Sequence, residues 1–139
     1  MGASHQLHDD CKRHTGSILT FGRGATTSSS TKHKVPAKSS CESEIIGLYD
    51  KISDVLWTRQ FLEAQGYKIN TNIVYQDNMS TLSLAKNGYI SSSKRTKHIK
   101  AKYFFVCHYH NASKIDLQYC PTEQMWADVL TKPLQGAKF

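Results

Sequence analysis

Hydrophobic and polar positions change their spacing several times along this chain, and each change marks an element. Ser17 to Phe21 reads as a strand, Gly22-Arg23-Gly24 as a turn and Ala25 to Ser29 as a weaker second strand. The run Thr26 to Thr31 holds only Ser and Thr. It fits either a linker or a solvent-exposed strand, because Thr favours extended backbone. At Ser39 the period becomes helical. Ser39-x-x-Glu42 has capping-box form, and Ile45, Leu48, Tyr49, Ile52, Val55, Leu56 and Leu62 fall on one face of a long helix that Gly66 stops. The stripe weakens near Thr58, so a break there fits as well as a continuous helix. Ile73-Val74-Tyr75 predicts a buried strand running into Gln76-Asp77-Asn78, followed by a short helix over about 79–86 that ends at Asn87-Gly88. After a loop from Tyr89 to Lys94, Ile99, Tyr103, Val106, Cys107 and His110 share one face of a helix over about 96–110. Ile115, Leu117 and Tyr119 alternate with polar residues and predict a strand. Pro121 and Thr122 lead into a last helix ended by Pro133. Trp57 and Trp126 flank helical apolar faces and are expected in the core. The order β-β-α-β-α-α-β-α, without internal repeats, predicts the α/β class.

Length and composition narrow this to one globular domain spanning 1–139. The chain has 139 residues, enough for one core, and 39% of them are hydrophobic and 10% aromatic. The net charge of +7 fits a polyanionic partner, either nucleic acid or an anionic membrane surface, and equally fits a soluble protein that is merely basic. No run of about 18 apolar residues exists, so no membrane-spanning helix is expected, and no membrane is named as a partner. Met1 to Asp10 is polar and lacks the apolar stretch of a signal peptide. Cys11, Cys41, Cys107 and Cys120 show no paired spacing, which points to free thiols in a reducing, intracellular compartment.

Three acids from separate elements are candidates for chemistry. Asp77 ends the strand at 73–75, where an α/β sheet places its sites, and it could equally be the N-cap of the next helix. Glu44 is expected in the first turn of the long helix, where a carboxylate also simply complements the positive helix end. Asp128 lies in the last helix, where an exposed face would explain it. Spacing alone does not bring the three together. Lys94-Arg95-Thr96-Lys97-His98-Ile99-Lys100-Ala101-Lys102 holds five Lys or Arg and no acid. Such a segment suits phosphate contacts, and it also suits the solvated face of an amphipathic helix. His5, His8 and Cys11, with His108 and His110, lack the paired spacing of a zinc finger. No Gly-rich phosphate loop and no Ser/His/Asp set stands out.

Several ordered segments resemble one known family. Trp126-Ala127-Asp128-Val129-Leu130-Thr131-Lys132-Pro133-Leu134 is similar to the Ala-Asp-x-x-Thr-Lys-Pro-Leu signature of the ribonuclease H domain in copia-type retrotransposon polyproteins. Ser39-Ser40-Cys41-Glu42-Ser43-Glu44 resembles that family's Ser-Ser-Thr-Glu-Ala-Glu, and Tyr75-Gln76-Asp77-Asn78 its strand-ending Asp-Asn. Leu84-Ala85-Lys86-Asn87, Arg95-Thr96-Lys97-His98-Ile99, Ser4-His5 and His14-Thr15-Gly16 match in the same order, so the resemblance runs from about Gly2 to Lys138. It implies a ribonuclease H-like mixed sheet of five strands flanked by helices, and hydrolysis of the RNA strand of RNA–DNA hybrids. It further implies that Glu44, Asp77 and Asp128 are catalytic carboxylates holding two Mg²⁺ ions, with Mn²⁺ as a substitute, at the spacing of about 4 Å usual for paired ions. Lys94, Arg95, Lys97, His98 and Lys100 would contact the hybrid, and the reverse transcriptase portion of the same polyprotein would be a partner. The compartment implied is the cytoplasm, within a virus-like particle, or the nucleus.

One element of the pattern is altered. Gly2 stands where the resemblance calls for the first catalytic Asp, at the end of the central first strand, which is expected to be largely missing from an N-terminally truncated domain. Poor stability and weak or absent hydrolysis are the expectations, with a catalytically inactive nucleic-acid-binding remnant as the alternative.

Overall fold

The computed structural model describes residues 2–3, 14–34, 39–87 and 97–131, with the backbone alone at 2–3, 87 and 97–99. The Ser/Thr-rich stretch is a strand rather than a linker. β1 (Gly2–Ala3), β2 (His14–Thr20) and β3 (Ala25–Lys32) form an antiparallel sheet in that order. Ser17 pairs with Ser29 in register, and their hydroxyls meet at 2.8 Å. Gly22 turns the hairpin with φ +118°, a conformation glycine adopts without a Cβ clash.

α1 spans Ser40–Ala64 without a break at Thr58. The Ser39 hydroxyl accepts from the Glu42 amide at 3.1 Å, so the expected cap is present. At the other end Gly66 takes φ +91° and donates to Glu63, while Tyr67 donates to Leu62, the paired bonds of a Schellman stop. β4 (Ile73–Gln76) pairs in parallel with β5 (Asp116–Tyr119), Val74 opposite Leu117. Between them in sequence lie α2 (Met79–Asn87) and α3 (Lys97–Asn111).

The core sits where the three helices meet β4 and β5. Leu48 and Ile52 of α1, Leu82 and Ala85 of α2, Val106 of α3, Val74, Ile115 and Leu117 form one buried cluster. Ile45, Tyr103 and Cys107 form a second. The Tyr103 hydroxyl donates to the Leu84 carbonyl at 2.9 Å, and burial pushes its phenol well above the usual range.

Four expectations are corrected. Among the described residues the strands form two sheets, one antiparallel and one parallel, where a single mixed sheet was expected. The two residues of β1 pair with β2, and β4 pairs with β5, so among the described residues no ladder links the two sheets. The last helix is instead two 3-10 turns, Thr122–Gln124 and Trp126–Leu130. Met125 between them is extended (ψ 97°), and both Met125 and Ala127 are buried. That extended residue breaks the segment, so no continuous α-helix runs through it. Trp57 and Trp126 are not core residues; both are about two-thirds exposed, at 66% and 65%. Tyr119, expected on the inner face of its strand, is exposed as well, because β5 ends there and the chain turns at Pro121. No described helix is long and apolar enough to cross a membrane.

Candidate functional site

Glu44 and Asp77 come together at the end of β4. Glu44 occupies the fifth position of α1, past the first turn, and is 4% exposed. Its burial and its place in the helix both argue against a carboxylate serving the helix end, a role that falls to Glu42. Asp77 is not the cap of α2 either. The Thr81 amide donates to Asn78 Oδ1 at 3.1 Å, so Asn78 caps that helix and leaves the Asp77 carboxylate for other work. Gln76 joins the two acids: its Nε2 donates to Glu44 Oε2 at 2.7 Å and approaches Asp77 Oδ1 at 3.4 Å. The Thr122 hydroxyl donates to the second oxygen, Asp77 Oδ2, at 3.2 Å. Nearby, Cys41 stands on α1 within reach of the Thr81 hydroxyl, at 3.5 Å. Burial, with a smaller push from Glu44 and Glu42, raises its thiol above the ordinary range, while the Thr81 contact pulls it down.

Asp128 stands on a separate element and, among the described residues, does not complete a three-acid group with Glu44 and Asp77. It lies in the 3-10 turn Trp126–Leu130, fixed by Thr131, whose amide donates to the Asp128 carbonyl at 3.0 Å. The Thr131 hydroxyl, almost fully buried, reaches the same carbonyl at 2.8 Å and the carboxylate at 3.2 Å. This turn packs on β2 at Gly16, where an added Cβ would stand 2.5 Å from the Ala127 carbonyl oxygen and 2.8 Å from the Thr131 side chain. Gly2 pairs in register with Gly16. The position where the resemblance calls for a first Asp is thus one strand away from the turn that carries Asp128.

Hard divalent cations need several oxygen ligands at once. Among the described residues no three His, Cys, Asp or Glu side chains gather closely enough to hold a metal ion. What the structure assembles is a carboxylate pair bridged by an amide, with Asp128 on a separate turn. This donor set does not fit a closed two-ion centre.

No protein-family model matches the chain. Curated proteins do. The retrovirus-related Pol polyprotein from transposon TNT 1-94 of Nicotiana tabacum is 30% identical over 131 residues, which cover 94% of this chain and 10% of that protein. The retrovirus-related Pol polyproteins from transposons RE2 and RE1 of Arabidopsis thaliana are each 29% identical over 132 residues, 94% of this chain and 9% of theirs. The chain is related to Pol polyproteins of plant retrotransposons. It spans about a tenth of the length of these relatives.

That relationship includes the basic segment. α3 opens at Lys97 with His98 and Lys100 and has no acid in its first turn. Positive side chains at a helix N-terminus oppose its dipole, which a bound anion would relieve. Lys100 is exposed, with its ammonium 6.0 Å from the Phe104 ring centre. Lys102 is engaged elsewhere, paired with Asp50 at 3.3 Å and lying over Tyr49. The side chains of Lys97 and His98, and the whole of Lys94 and Arg95, lie outside the described residues, as do His5, His8 and Cys11. Sequence reasoning missed Gln76, Gly16 and Thr131. A polar residue at an inward strand position was the signal available for Gln76, and the Thr three residues after Asp128 was the one for Thr131.

Proposed function

We propose that the chain is a ribonuclease H-like segment of a retrotransposon Pol polyprotein that engages RNA–DNA hybrids and hydrolyses the RNA strand weakly. The observation that carries this reading is the joining of Glu44 to Asp77 through Gln76 at the end of a parallel strand. Two acids from separate elements meet, both lie in segments that resemble motifs of the ribonuclease H domain of copia-type polyproteins, and neither acid is used up as a helix cap. Glu44, Asp77 and Asp128 are its carboxylates. Mg²⁺, or Mn²⁺ in its place, is the ion class that such acids take. Weak turnover follows from Gly2, which has no side chain, and from the incomplete donor set. Losing one catalytic group commonly costs about two or more powers of ten in rate.

Hybrid recognition belongs to Lys94, Arg95, Lys97, His98 and Lys100, acting on backbone phosphates rather than base edges. The reverse transcriptase portion of the polyprotein is the expected neighbour. The setting is a virus-like particle in the cytoplasm, or the nucleus.

A second reading, a hybrid-binding remnant without hydrolysis, is favoured by the absence of a three-donor group among the described residues. One experiment separates the two: cleavage of a labelled RNA–DNA hybrid in Mg²⁺ and in Mn²⁺, beside Asp77→Asn. Slow cleavage abolished by Asp77→Asn supports hydrolysis. Binding at physiological salt without cleavage, by a chain that melts cooperatively, supports the remnant. Neither binding nor cleavage removes both.

A further inference from the structure

Gln76 holds the Glu44–Asp77 pair together, yet the reading above gives it no task of its own. It is fully buried, at 0% exposure, as the last residue of β4. Its Nε2 points at two carboxylates, 2.7 Å from Glu44 Oε2 and 3.4 Å from Asp77 Oδ1, which accounts for the two donors it carries. Its Oε1, equally buried, has no hydrogen-bond partner among the described residues. Buried polar atoms are ordinarily satisfied, so an amide that leaves its acceptor unmet is being held by its donors. Turned over, the amide would set Oε1 against Glu44 Oε2, acceptor against acceptor. The two carboxylates therefore fix which way the amide faces.

A group that donates to two carboxylates from between them does the electrostatic work of a cation. We propose that the Gln76 amide is a built-in substitute for a divalent cation between Glu44 and Asp77, so that an ion reaches both carboxylates only by displacing it. The inference rests on the proposed reading of Glu44 and Asp77 as the ion-binding acids. It explains the donor set, in which two acids are closed onto an amide where an open ion site would present two oxygens to solvent.

The test is a Mn²⁺ titration followed by electron paramagnetic resonance on the whole chain and on Gln76→Met, which keeps length and removes the amide. Loss of one charge-assisted hydrogen bond that competes with the ion sets the expected scale: Mn²⁺ binds Gln76→Met about tenfold more tightly. Glu44→Gln combined with Asp77→Asn abolishes the gain. Unchanged affinity overturns the proposal, and weaker binding by Gln76→Met overturns it in favour of Gln76 as an oxygen ligand. Should Gln76→Met not fold, the unmodified chain decides by nuclear magnetic resonance. Saturating Mg²⁺ must release the Gln76 side-chain amide into fast exchange with water, and an amide that stays protected, or Mg²⁺ that causes no change, overturns the proposal. Hybrid binding measured in a chelating buffer tests the ribonuclease H-like reading separately, because it needs no ion at this pair.

Discussion

The helical half of the molecule and its antiparallel sheet are built by different means. α1, α2 and α3 close over β4 and β5 around residues such as Leu48, Val106 and Leu117, each at 0% exposure. β3, by contrast, is exposed along nearly all its length, and its Ser and Thr side chains give it little to bury. That sheet meets the turn after β5 at the close approach of Gly16 and through the Ser30 hydroxyl donating to the Leu130 carbonyl at 2.6 Å, while a buried contact between Thr15 and His33 links its own strands. Glu44 and Asp77 stand on the packed half, and Asp128 stands on the turn that leans against the sheet. The lesson is that the three acids have unequal support. Two stand on elements of the main core, whereas the third stands on a short turn held by the close approach at Gly16, the buried Met125 and Ala127, and polar contacts such as those of Thr131.

The strongest way to break this contrast is to weaken the core itself. Leu48→Ala should cost about 2–5 kcal/mol, since it removes buried methyl groups between α1 and its neighbours. Urea unfolding should show the whole loss in the midpoint, and a cost below about 1 kcal/mol would mean the helical half is loosely packed. Gly16→Ala comes next, at about 1–3 kcal/mol, because its Cβ would stand 2.5 Å from the Ala127 carbonyl and force the turn away from β2. Its effect should be confined to the sheet and the Asp128 turn. Hydrogen exchange in α1 and α3 should stay as slow as before, and equal loosening everywhere would erase the distinction between the halves.

A smaller effect is expected from pH. The Cys41 thiol is raised in the folded chain, chiefly by burial, so folding favours its neutral form. Stability should hold below the ordinary thiol range and fall as pH rises from there through the raised value. Thermal melts across that window, beside Cys41→Ala, check this, and an identical decline in the variant would assign the pH dependence to other groups. The smallest effect sharpens the contrast within α1. Trp57→Ser, on an exposed position stacked on Phe61 at 5.6 Å, should change stability by no more than about 0.5 kcal/mol. A loss near that of Leu48→Ala would show that the outer end of α1 is covered.

The elements were largely legible where local chemistry is strong. The Ser39 cap, the Gly66 stop and the apolar stripe of α1 are all present because a cap, a left-handed stop and a 3.6-residue period act over a few neighbouring residues. The segment after Pro121 was not legible. Its apolar residues fit a helix on paper, but Met125 and Ala127 are both drawn inward by the surfaces they meet, and that requirement comes from outside the segment. The tryptophans were misplaced for a related reason: a residue beside an apolar stripe is buried only if a partner covers that edge, and none does at Trp57 or Trp126 among the described residues.

The sequence by itself determined the α/β class, the caps and stops, and the relationship to retrotransposon Pol polyproteins, since each depends on residue identity and order. Only the tertiary structure decided that Glu44 is buried beside Asp77 and that Gln76 bridges them. It alone separated the strands into two sheets and set Asp128 on a turn against Gly16. Contacts between residues 32 or more positions apart depend on how helices and strands pack, and no local period or motif encodes that geometry.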